Sequence, residues 1–281
     1  MRFAVTVLLW LLSTMALAVA VPTAWAQKNV IDADGYAAMA QKAASDPALQ
    51  AAAASELTTR AKTLINQRGY AVDSSEVHDV AAAYTAGPDF PPQFAQANRL
   101  MHSWMFTGAD AQADGDQWVI DLAQMLNDTA FQQMLANFNV RVPSKVTVPV
   151  TVSTPKVLQP GKLRPLATWG PWVSAVAAGL TGIGALLTLA AARSRGRALA
   201  GLGVSALLVG AGGWAAIELA RRHINDALNH TTGDIRRIAD VMVGDAESSL
   251  HHWLNLTLAA GGALVVVGVF VAVLGSLRSK G

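Results

Sequence analysis

No cysteine occurs in the 281 residues, which removes disulfides, thiolate zinc sites, iron–sulfur clusters and cysteine nucleophiles from consideration. Charge is sparse: only 14% of residues are Asp, Glu, Lys or Arg, and the formal net charge is +2. The basic residues are scattered or sit beside apolar segments, so the electrostatic footprint of a nucleic-acid binder is missing. Motifs that carry a mechanism are missing too: there is no G-x-S-x-G, no H-E-x-x-H and no phosphate-cradling glycine loop. His78 and His102 stand beside Asp79 and Ser103, but adjacency in sequence is not a triad, and a lone histidine is ordinarily a packing or surface residue. Together these absences predict a chain with no enzymatic activity, no cofactor and no nucleic-acid partner.

What the sequence has in excess is apolar surface. Hydrophobic residues make up 52% of the chain and the mean hydropathy is +0.33, too apolar for an ordinary soluble protein. A span of about 30 Å of hydrocarbon takes roughly 20 helical residues. Runs of that length predict an N-terminal segment over 1–26 and spans over 169–192, 198–220 and 254–275. Between them lie a domain over 27–168, an arginine-rich turn over 193–197 and a helical hairpin over 221–253, with a tail over 276–281. The fold class expected is mainly α: a helical transmembrane bundle plus an extracytoplasmic, mostly helical α+β domain.

Orientation follows from charge. The turn "RSRGR" carries Arg193, Arg195 and Arg197, the tail carries Arg278 and Lys280, and Arg2 precedes the first run. Positive-inside bias puts all three in the cytoplasm, and so predicts a multi-pass plasma-membrane protein with the 27–168 domain and the hairpin outside. Tryptophan is an independent indicator, because indole prefers the headgroup region. Trp25, Trp169, Trp172, Trp214 and Trp253 fall at or near the expected outer ends. Lys162, Arg164, Arg221 and Arg222 are basic residues on that outer side and count against the assignment.

The first run ends in "VPTAWAQ". Ala24 and Ala26 satisfy the small-residue rule of a signal-peptide cleavage site, and Pro22 follows the apolar stretch. The run from 3 to 21 nevertheless exceeds the roughly 7 to 15 residues of a signal core and reaches spanning length. Anchor and signal peptide are both open readings, and either way the domain that follows is exported.

Within that domain, helix signals are dense. Asp32 or Asp34 opens one helix; Asp46 with Pro47 opens a second that stops at Gly69; Asp73 and Glu76 have capping-box-like spacing for a third. "PPQF" begins a fourth, with Phe94, Ala97, Met101, Trp104 and Met105 at helical spacing. "DQWVIDL" reads as a short strand, "NDTAFQQMLANF" as helix, and "VRVPSKVTVPVTV" as edge strand or extended chain because of its prolines. In the hairpin, Ile224, Ala227 and Leu228 and then Ile235, Ile238, Met242, Leu250 and Trp253 form helical stripes, with "HTTGD" as the break between them. Glycines stud the spans and allow helices to approach closely, so a compact bundle is expected rather than a pore. Glu218 is the carboxylate nearest the apolar zone, and Arg221 or Arg222 is its expected neighbour.

Two patterns could hold a metal. Asp110, Gln112, Asp114 and Asp121, with the Gly115 turn, follow calcium-loop spacing, although the last ligand should be a bidentate Glu and Gln117 occupies an apolar position. Glu247 and His251 lie one helical turn apart, as do His223 and Asp226, with His230 a turn further on. An acidic turn and ordinary surface pairs explain both equally, so no metal site is assigned.

The span ending "PTAWAQ", the stretch "VIDADGYAAMAQKAASDPALQAAAASELTTRA", then "WVIDLAQML" with "VPSKVTVPV", and the Gly-rich paired spans around an Arg-rich turn together resemble a group of uncharacterised actinobacterial multi-pass membrane proteins. The resemblance extends over nearly the full chain on compositional motifs. It implies that the first span is an anchor and transfers no catalytic residue. The expected function is a non-enzymatic accessory or scaffold subunit of an envelope membrane complex, meeting membrane lipids and a membrane-protein partner through the hairpin or the exported domain. The alternatives are a lipid or glycolipid binding or transport factor, and an envelope sensor using calcium or the hairpin histidines.

Overall fold

The computed structural model describes residues 2–67, 69, 71, 73–107, 118–121, 132, 147–150, 163–229 and 233–278. Four of its helices are long and apolar enough to cross a membrane, and the chain is a mainly helical, multi-pass membrane protein. It divides into two compact units.

The helical domain comprises Asn29–Ala167 and His223–Ala246. Its helices begin where side-chain oxygens cap them. Helix α2 (Ala33–Ala43) starts after Asp32, which accepts from the Gly35 amide at 2.7 Å. Helix α3 (Pro47–Asn66) starts after Asp46, which accepts from the Ala48 amide at 2.7 Å, and Pro47 sits where its missing N–H costs nothing. Helix α4 (Ser74–Thr85) starts after Asp73, bonded to the Ser75 amide at 2.9 Å. That bond, made to the charged carboxylate, holds the Asp73 carboxyl below its usual range. Gly69 follows α3 at φ +81°, a conformation that favours glycine. Helix α5 spans Phe90–Thr107.

The core of this domain joins Leu49, Leu57 and Ile65 of α3 with Val77, Ala81 and Tyr84 of α4 and Phe90 and Phe94 of α5, alanines of α2 filling the gaps. Tyr84 meets Phe90 edge-on at 5.7 Å and donates its hydroxyl to Gln93 Oε1 at 2.6 Å, so the one polar tip in the cluster is satisfied. Two four-residue strands, β1 (Trp118–Asp121) and β2 (Thr147–Val150), pair antiparallel with Trp118 opposite Val150 and Asp121 opposite Thr147. They fall in the two stretches read as extended, but an α+β domain does not follow: so short a pair is a minor addition to a unit whose described core is entirely helical. The helix expected in "NDTAFQQMLANF" lies outside the described residues except for Gln132, which is helical.

The membrane bundle comprises Met1–Lys28, Thr168–Arg222 and Glu247–Gly281. Its elements are α1 (Arg2–Ala26), which runs on into a π-helical turn (Gln27–Ile31), then α6 (Arg164–Ala191), α7 (Arg195–Leu228) and α8 (Gly233–Arg278). At about 1.5 Å per residue, α7 and α8 are far longer than the hydrocarbon layer is thick. Their surplus ends therefore belong to the helical domain, with Gly233 at φ +66° just after the break between them.

Candidate functional site

Glycine spacing explains how α7 and α8 meet. Gly196, Gly203 and Gly210 recur every seven residues on α7, and Gly261 and Gly268 do so on α8. A Cβ added at Gly203 would stand 2.6 Å from the Gly261 carbonyl oxygen and 2.7 Å from the Val265 amide nitrogen; one at Gly261 would meet the Gly203 oxygen at 2.9 Å. Gly196 and Gly268 face each other's backbone in the same way, and Gly210 faces Leu258. The two helices thus run antiparallel in backbone contact, which is the packing that small residues permit in a membrane. Counting glycines in the spans suggests close packing; the seven-residue interval is the signal that identifies the partner face.

Helix α1 is joined to α7 by polar bonds and packs on α6. Trp10 donates its indole N–H to the Gly201 carbonyl at 2.8 Å, the Thr14 and Ser205 hydroxyls meet at 2.7 Å, and buried Ser13 occupies the space over Gly184 of α6. Ser13 and Thr188 each also donate to their own helix at the carbonyl four residues back, at 2.8 and 2.7 Å. These hydroxyls therefore hold helices together or bond their own backbone.

A cleft of about 770 Å³ opens between α1, the end of α6 and the start of α7. Thr6, Val7 and Trp10 form one wall; Thr188, Ala191 and Ala192 form the second. Ser194, Ala198 and Gly201 complete the lining with Arg193 and Arg197, both of them exposed. This end of the bundle has no acidic side chain. The bundle's two acidic side chains are Glu218 and Glu247; Glu218 is about 30 Å along α7 from Arg197, and Glu247 is bonded to Arg221 at 2.9 Å.

That far end carries the second cluster. Trp214 stacks on His251 with ring centroids 3.9 Å apart and donates to Asn255 Oδ1 at 3.2 Å, while Trp25 donates to the Ser249 hydroxyl at 3.2 Å. Glu247 and His251 do share a helix face, but one is taken up by Arg221 and the other by an indole ring. Glu218 is exposed, and Arg221 pairs with Glu247 in its place. Among the described residues no three His, Asp or Glu side chains converge as metal ligands. Of the calcium-loop candidates, Asp110, Gln112 and Asp114 lie outside the described residues, as does His230; Asp121 lies in β1.

In the helical domain, His102 is buried and bonds the Val30 carbonyl at 3.0 Å through Nε2, which must therefore carry the proton. Its ring stacks on Phe106 at 4.3 Å and faces Tyr36 at 5.4 Å. Burial pushes the Tyr36 hydroxyl up to about 12. This is a packed structural histidine. Ile238, Val241 and Met242 of α8 lie against the domain core, and Lys42 pairs with Asp245 at 2.8 Å. Part of the hairpin stripe is therefore covered by the chain itself. Compared with protein-family models, curated proteins and solved structures, the chain matches none.

Proposed function

We propose that this membrane protein is a non-enzymatic accessory or scaffold subunit of a cell-envelope complex, holding its helical domain on the extracytoplasmic face. The observation that carries the reading is the closure of the bundle: α7 and α8 touch backbone to backbone along Gly203 and Gly261, and the hydroxyls of Ser13, Thr14 and Ser205 bind helix to helix or to their own backbone. A bundle so built holds position; a conduction path would need polar groups facing a water-filled space. The arginines of the 193–197 turn favour a cytoplasmic turn and C-terminus. Because Ile238, Val241 and Met242 already lie on the domain core, the partner is expected on the domain's outer faces rather than on that stripe.

Helix α1 is part of the scaffold in this reading, since Trp10, Ser13 and Thr14 all contribute to its packing. The test is native mass spectrometry of a C-terminally tagged full chain taken from native membranes in mild detergent. A partner at fixed stoichiometry is expected, together with an intact mass that includes residues 1–26. A monodisperse, partnerless protein with catalytic turnover would overturn the proposal.

A further inference from the structure

We infer that the cleft between α1, α6 and α7 binds one anionic phospholipid, its phosphate held by Arg193 and Arg197 and the start of an acyl chain laid against Val7, Trp10 and Ala198. The argument begins with charge balance. Arg193, Arg195 and Arg197 stand within five residues, all exposed, at an end of the bundle that has no acidic side chain. The bundle's acidic side chains are a full membrane thickness away along α7 or already bonded to Arg221. No acidic side chain of the bundle is placed to balance this turn, so an anion seated there would come from outside it. At the end of a membrane span, the anion at hand is a lipid phosphate.

Shape selects among the arginines and among the anions. Arg193 and Arg197 line the cleft, whereas Arg195, between them in sequence, does not. A guanidinium presents paired N–H donors that match two phosphate oxygens, so two of them at one mouth suit a phosphodiester. Below the mouth the walls turn apolar, through Ala191, Ala192, Val7 and the Trp10 ring, whose N–H is already spent on Gly201. A free phosphate would gain nothing from that lining; a lipid would bury methylenes on it. The cleft holds a phosphoglycerol headgroup and the first methylenes, and the rest of the chains can follow the exposed apolar surface of Leu8 and Leu187.

The experiment is lipid titration of the detergent-purified full chain, read by native mass spectrometry, with dioleoylphosphatidylglycerol and dioleoylphosphatidylcholine as probes and glycerol phosphate as a headgroup-only competitor. One phosphatidylglycerol per chain is expected, favoured over phosphatidylcholine by about tenfold or more. The double substitution Arg193→Gln/Arg197→Gln should abolish that preference, and Arg195→Gln, which removes one charge from the same turn, should leave most of it. Ala198→Phe keeps every arginine and fills the cleft; it should also lose the lipid, and it decides the matter if the double variant does not fold. Equal retention of the two lipids, retention by Ala198→Phe, or loss on Arg195→Gln as large as in the double variant would each overturn the site. Glycerol phosphate binding as tightly as the lipid would overturn the lipid assignment.

Discussion

In the helical domain the large side chains are inside: Phe90, Leu49, Leu57 and Ile65 are almost fully buried, and alanines such as Ala40, Ala54 and Ala61 fill the spaces between them. In the membrane bundle the order is reversed, with Leu180, Ile183, Val266 and Phe270 more than half exposed and glycine occupying the helix contacts. Water makes burial of large apolar groups favourable; lipid offers no such gain, so the bundle is joined by close approach and by hydrogen bonds. One chain thus uses small residues in two ways, as filler in the domain and as the contact itself in the bundle.

Substitutions can break each half of that comparison separately. Phe90→Ala should cost the domain about 3–5 kcal/mol, read as a lowered unfolding midpoint, because it deletes a fully buried ring from the packed core. Truncating outward-facing Phe270 in the same way should leave the bundle's midpoint nearly unchanged. In the bundle the sensitive change is an addition: Gly203→Ala should destabilise it by about 1–3 kcal/mol, since the new methyl would meet the Gly261 and Val265 backbone as well as the Val265 side chain. Gly212→Ala, where nothing lies within 4 Å, is the matched control and should be neutral or slightly stabilising.

Titration sharpens the domain side. Tyr36 should stay protonated until about pH 12 in the folded domain, against about 10 once unfolded. Its folded value is raised, so the stability linked to its neutral form is complete below about pH 10 and is lost as pH climbs toward 12. Ultraviolet titration of phenolate, compared with Tyr36→Phe, reads this directly. The smallest effect belongs to the caps: Asp46→Ala should cost about 1 kcal/mol of domain stability by removing the bond to the Ala48 amide.

Local signals were legible and distant ones were not. Asp32, Asp46 and Asp73 cap helices through amides only two or three residues away, so sequence carries the whole interaction. The apolar runs likewise announce four membrane-length helices. The Arg221–Glu247 pair and the Trp214–His251 stack join different helices, and nothing local distinguishes Glu247 as the partner of Arg221 from Glu218, which lies closer in sequence. Spacing alone leaves Glu247 and His251 on one shared face, as metal ligands would be, whereas the neighbour each has across the helix pair is visible only in the fold. The arginine cleft is not legible in the sequence because one of its walls, Val7 and Trp10, comes from the other end of the chain. The glycine interval was present throughout, at 196, 203 and 210, and becomes meaningful only when read against 261 and 268 on the helix that answers it.

The first segment packs as a member of the bundle, through Trp10, Ser13 and Thr14. The chain's lack of cysteine makes this directly measurable, by oxidising a Thr14→Cys/Ser205→Cys variant in native membranes and determining its intact mass. The native hydroxyls are 2.7 Å apart, so efficient disulfide formation is expected in a chain that retains residues 1–26, and little in a Leu11→Cys/Ser205→Cys control, where Leu11 is 48% exposed. A mass lacking residues 1–26, or cross-linking no greater than the control, would contradict it.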